Sequence, residues 1–182
     1  GGGIISEDRS GLAAGIYTVT VTDNAGCSVV HTASVSQATS LNVAASVVNA
    51  TCFGSANGSI NITVTGGSTP YSYNWGGGIT TEDRTALAAN TYTVTVTDNL
   101  LCTATISSVV TQPAIVSATS VITNVACAGG SNGAIDITAT GGNGVYSYNW
   151  GGGVTVEDRT GLSANSYTVT ITDGNACTGT HT

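Results

Sequence analysis

The sequence repeats itself at a fixed interval of 75 residues, and this regularity limits what the chain can fold into. Trp75 recurs as Trp150, Cys52 as Cys127, and Cys27 as Cys102 and Cys177. The triplets Gly1-Gly2-Gly3, Gly76-Gly77-Gly78 and Gly151-Gly152-Gly153 keep the same spacing, as do the Glu-Asp-Arg triplets ending at Arg9, Arg84 and Arg159. No insertion or deletion interrupts the register. One small unit is therefore used several times, each copy burying its apolar face within itself or against its neighbours. By this register residues 1–38 are the back part of one repeat, 39–113 a whole repeat, and 114–182 a repeat short of the end of its last strand. A longer parent chain is the expectation.

Within the central copy the apolar residues alternate. Ile60, Ile62 and Val64 are separated by Asn61 and Thr63, and Tyr71, Tyr73 and Trp75 by Ser72 and Asn74. Tyr92, Val94 and Val96 alternate with Thr93, Thr95 and Thr97. A period of two puts one set on the core side of a strand and the other in water. Strands are expected over 41–48, 60–64, 71–75, 92–98 and 103–111, with 79–81 at most a short further one. Turn signals lie between them at 54–58, Gly66-Gly67, Gly76-Gly77-Gly78 and Asp98-Asn99. The fold class is then all-β: tandem immunoglobulin-like β-sandwich repeats of about 75 residues, with six or seven short antiparallel strands each. The predicted core comprises Tyr71, Tyr73, Trp75, Tyr92, Val94 and Val96, and in the next copy Tyr146, Tyr148, Trp150 and Tyr167. The segment 87–92 resembles a tyrosine corner, in which Tyr92 ties down the crossover before its strand.

Composition excludes whole classes of partner. The chain has three Arg, no Lys and a net charge of -7, so it lacks the clustered cations that phosphate neutralisation requires. The same deficit disfavours anionic membrane surfaces. Thr, Asn, Ser or Gly interrupts every apolar stretch well before the roughly 20 residues of a membrane span. Despite its many Gly, Ser and Thr, the chain is 41% hydrophobic, which disordered segments are not.

A repeat this small has a thin core and benefits from a covalent staple. Cys52 with Cys102, and Cys127 with Cys177, are the natural pairs, giving one disulfide per repeat and leaving Cys27 without a partner. Closing a loop of that size contributes about 4 kcal/mol in the chain-entropy model, and it implies an oxidising, extracellular compartment. Zinc is disfavoured, because there is no Cys-x-x-Cys and Ile106 stands where the other copies have His31 and His181. One tension accompanies this pairing. If both cysteines lie at one pole, an even number of strands separates them and the termini also meet at one pole. A string of beads needs them at opposite poles.

The ordered set Cys52-Phe53-Gly54, Pro70-Tyr71-Ser72-Tyr73-Asn74-Trp75 and Tyr92 through Asp98 to Cys102, repeated from Cys127 to Cys177, resembles the SprB repeat. Departures are minor: Val145 stands at the Pro70 position, and Leu100-Leu101 at the Ala25-Gly26 turn. The resemblance implies a very large surface protein exported by the type IX secretion system, of the kind gliding bacteria carry as a mobile adhesin. It brings no catalytic residues.

Candidate sites are few. Glu82, Asp83 and Asp98 are weak calcium candidates, and a solvated turn explains the triplet better, as turn chemistry explains Asp98. No nucleophile, base and orienter recur together, so neither enzymatic activity nor a cofactor is expected. The leading expectation is a structural segment giving length and stiffness on the cell surface, its partners being neighbouring repeats and copies of itself in a filament. The alternatives are a multivalent array binding surface polysaccharide weakly, with Phe53 as the one aromatic free to stack, and a fibre subunit completed by strand exchange.

Overall fold

The computed structural model describes residues 8–182, which contain fourteen β-strands and no helix. The first glycine triplet and Glu7 lie outside the described residues. β1 (Gly15–Thr22) and β2 (Ser28–Val35) form an antiparallel hairpin. β3 (Asn42–Val48), β4 (Gly58–Thr65) and β6 (Arg84–Leu87) form one three-stranded sheet. β5 (Ser72–Asn74), β7 (Asn90–Thr97) and β8 (Thr103–Val110) form a second. The arrangement recurs one period later. β9 (Ser117–Thr123), β10 (Gly133–Thr140) and β12 (Arg159–Leu162) make one sheet, and β11 (Tyr146–Asn149), β13 (Val169–Asp173) and β14 (Thr178–His181) the other. Each full set thus has six strands, all paired antiparallel within their sheets.

The alternating residues do what the period of two requires. Ile60, Ile62 and Leu87 from the first sheet meet Val94, Val96 and Val110 from the second, all buried. Tyr71, Tyr73, Trp75 and Tyr92 pack around this aliphatic centre and are half-buried rather than central. In the next copy Val116, Ile137, Val169 and Ile171 form the centre, with Tyr146, Tyr148 and Trp150 against it. Tyr167 stands outside that cluster, half-buried beneath Arg159. The opposing sheet is what removes water. Val19 in the hairpin is 52% exposed, whereas Val94, its counterpart one period on, is 0% exposed.

The expected short strand at 79–81 is absent, and the sixth strand lies later, at β6. Ile79 instead closes a tight turn, its carbonyl accepting from Trp75 N at 3.1 Å and its N–H donating to Gly76 O.

Chain direction settles where the loops fall. The segment before β3, the β4–β5 turn and the β7–β8 turn meet at one pole, the head. There Gly67 N donates to Thr39 O at 3.0 Å and Ser68 N to Asp98 Oδ2 at 2.9 Å. A Cβ on Gly67, whose φ is +63°, would stand 2.9 Å from both Asp98 Oδ2 and Leu41 Cδ1, so the head closes only around glycine. The end of β3, the start of β4 and the end of β8 meet at the opposite pole, the foot. Ala50 N donates to Thr111 O, Thr111 N to Asn49 Oδ1, and Gly54 N to Gln112 Oε1, all within 2.8–2.9 Å. The chain enters at the head and leaves at the foot.

Candidate functional site: the junction between successive repeats

Each recurring polar motif is consumed in holding its own repeat together. Asp83 completes the edge of β4 where β6 has not yet begun, accepting from Ile62 N at 2.8 Å and Asn61 Nδ2 at 3.0 Å. Asp158 repeats the contact with Ile137 N at 2.9 Å. Arg84 lies over the rings of Trp75 and Tyr92, 5.6 and 5.0 Å from their centroids, and Arg159 over Trp150 and Tyr167 at the same distances. Each such stack contributes about 0.5–1 kcal/mol at an exposed site. The Glu-Asp-Arg triplet is therefore more than the solvated turn expected for it. Tyr92 OH donates to Ala88 O at 3.0 Å, Tyr17 OH to Ala13 O and Tyr167 OH to Ser163 O, the tie anticipated at the crossover.

Glu157 accepts from Tyr148 OH at 2.6 Å. Burial, and then the neighbouring Glu82 carboxylate, push the Tyr73 hydroxyl up to about 12; the Tyr148 hydroxyl is also raised, by burial and then by Glu157.

The three calcium candidates do not converge. Among the described residues no three acidic, cysteine or histidine side chains gather as a metal-binding group. Asp98 is 3% exposed, and its carboxylate takes N–H donors from Ser68, Leu100 and Cys102 at 2.8–2.9 Å. Burial alone would raise its pKa, but those hydrogen bonds prevail and hold it below the usual 3.8. Asp173 has the same three kinds of donor, from Asn143, Asn175 and Cys177. His181 and Ser120 face each other at 2.9 Å, away from any cysteine cluster.

The cysteines depart from the expected pairing. Cys52 is bonded to Cys177, 125 residues away, with a Cα–Cα distance of 5.5 Å. Cys27, Cys102 and Cys127 are free and exposed. The Cys52–Cys102 and Cys127–Cys177 pairs are overturned by position: Cys52 sits in the foot loop and Cys102 in the head turn of one repeat. An eight-residue strand separates the two poles by roughly 25 Å at 3.3 Å per residue, and a disulfide needs Cα atoms within about 7 Å. Cys177 occupies the head turn of the following repeat, which rests on the foot that carries Cys52. The even-strand tension disappears for the same reason. β5 and β6 both run from head to foot, because the segment between them climbs back beside β4.

A small cavity at the junction is lined by Cys52, Phe53, Ile115, Val116, Ala176 and Cys177. Asn175 Nδ2 donates to Thr51 O at 3.4 Å across it. Phe53, expected as the aromatic free to bind sugar, is 53% exposed and stands at this seam. Motif spacing locates the cysteines, but the contact between repeats depends on how they stack, which leaves no mark on that spacing. Among the described residues no helix is long and apolar enough to cross a membrane.

The family model for the SprB repeat matches residues 44–80 and 119–155, the front part of each of the two copies just described. The back-part motif from Tyr92 to Cys102 lies beyond the matched stretch. No curated protein matches the chain.

Proposed function

We infer that this chain, a tandem run of SprB repeats, serves as a structural segment of a cell-surface adhesin. SprB repeats are adhesin-type, non-enzymatic repeats associated with the cell surface. Our finer reading divides the chain at residues 38 and 113 into a partial repeat and two beads. Their task is length and stiffness, for attachment or gliding, in a protein exported by type IX secretion. The observation that carries this reading is the head-on-foot junction closed by Cys52–Cys177. A chain that enters each bead at one pole and leaves at the other extends with every copy, and a bond at the seam resists bending. Repeats that contact only their neighbours build quasi-one-dimensional arrays of this kind.

Electron microscopy of the purified protein tests it. Two beads in line, forming a short rod, are expected; beads folded back into one compact particle would overturn the reading. A second reading, a weak glycan-binding array, draws support from the half-exposed Phe53 beside the junction cavity. It requires glycan binding that disappears in Phe53→Ala, whereas the structural reading expects none to begin with.

A further inference from the structure

The five cysteines fall into two register classes. Cys52 and Cys127 occupy foot loops, and Cys27, Cys102 and Cys177 occupy head turns. The one disulfide among the described residues joins a foot to the head of the next repeat. Applied to Cys127, the same step calls for a head cysteine one period beyond Cys177. Applied to Cys102 and Cys27, it calls for foot cysteines one and two periods before Cys52. All three positions fall outside this sequence, and the cysteines that would use them are the three left free and exposed. One rule accounts for all five.

The surfaces beside the free thiols fit the same rule. At the closed junction the head turn contributes Asn175 and Ala176 to the seam. The central repeat presents Leu100 and Leu101 at these positions, 58% and 82% exposed next to Cys102. Leu100 and Leu101 thus add exposed apolar surface beside an unpaired thiol, and contiguous apolar patches mark interaction sites on soluble proteins. The cysteine itself marks the difference: Cys177 is 8% exposed where the foot bearing Cys52 meets it, whereas Cys102, at the same register position, is exposed.

We propose that the head around Cys102 and the foot around Cys127 are docking surfaces for further repeats of this same kind, each sealed by a foot-to-head disulfide, so that the array is covalently bonded across every junction as well as along its backbone. At each seam two thiols lose two protons and two electrons and form one S–S bond. A disulfide oxidant accepts them through a mixed-disulfide intermediate and leaves as two thiols. The proposal rests on the array reading above and adds its cross-linking chemistry.

The test lengthens the full chain at its C-terminal end by a second copy of residues 108–182, which continues the register without a break. The protein is oxidised with glutathione disulfide, and its peptides are mapped without reduction. Cys127 should be bonded to the added copy of Cys177 while Cys52–Cys177 persists. Three thiols should then label: Cys27, Cys102 and the added copy of Cys127. In Cys127→Ser the added copy of Cys177 should become a labelled thiol, with Cys52–Cys177 unchanged. A free Cys127 in the extended parent, or Cys127 bonded to the Cys177 of its own repeat, would overturn the proposal. The two readings fail separately, since a rod with Cys127 free defeats the cross-link alone, and a bonded but compact particle defeats the array.

Discussion

Asp98 shows how much one side chain carries in a repeat with so thin a core. Its carboxylate gathers N–H donors from its own turn and from the neighbouring head loop at Ser68. A carboxyl held below its ordinary pKa stabilises the fold while ionised. That contribution is complete above about pH 3.8 and is lost as pH falls through the lower folded-state value. Melting temperature should therefore hold level from pH 7 to 5 and drop below pH 4. Asp98→Asn turns an acceptor into an NH2 group facing the Ser68 amide. It should melt a few degrees lower at pH 7, with a shallower acid decline, as thermal melts across that pH range would reveal. Turn chemistry at Asp98 was legible from Asp-Asn before a cysteine. The reach to Ser68, 30 residues earlier, was not, because it depends on two sheets bringing their turns to one pole.

Among the elements, β6 is the one the alternation pattern did not disclose. It is short, follows the charged triplet, and pairs with β4 through a register shift between Gly58 and Ile60. At this irregularity Ala86 has φ 55°, while its counterparts Gly11 and Gly161 have φ 66° and 69°. Alanine strains a left-handed position that glycine occupies freely. Ala86→Gly should raise unfolding free energy by about 1 kcal/mol, read as a higher urea midpoint with an unchanged slope. A lower midpoint would mean that β6 tolerates the strain for a packing gain. The long strands were plain in the sequence because each alternates over many residues. β6 spans Arg84–Leu87, and Leu87 is its only buried residue, too little for a period to register.

At the scale of the molecule, the bond between Cys52 and Cys177 ties two repeats that each have an aliphatic core of their own, with both sulfurs packed on the second. Reduction should thus free the beads to bend without unfolding them. Small-angle scattering of the reduced protein should show a broader spread of distances, while circular dichroism keeps its β signature. In the chain-entropy model, opening a loop of this length removes up to about 5 kcal/mol of stability from the linked pair. The reduced protein should therefore also melt at a lower temperature. Loss of β structure on reduction at room temperature would show that the beads depend on the bond to fold.

The 75-residue register, the all-β class and the alternation of inward and outward faces were legible in the sequence alone. They follow from local periodicity and from identity at fixed spacing, which need no knowledge of the other end of the fold. Which cysteine meets which was decided only in three dimensions. Spacing along the chain favours the partner 50 residues away, but the path from β5 back to β6 puts that partner at the opposite pole. Stacking then brings Cys177, 125 residues away, to within bonding distance of Cys52.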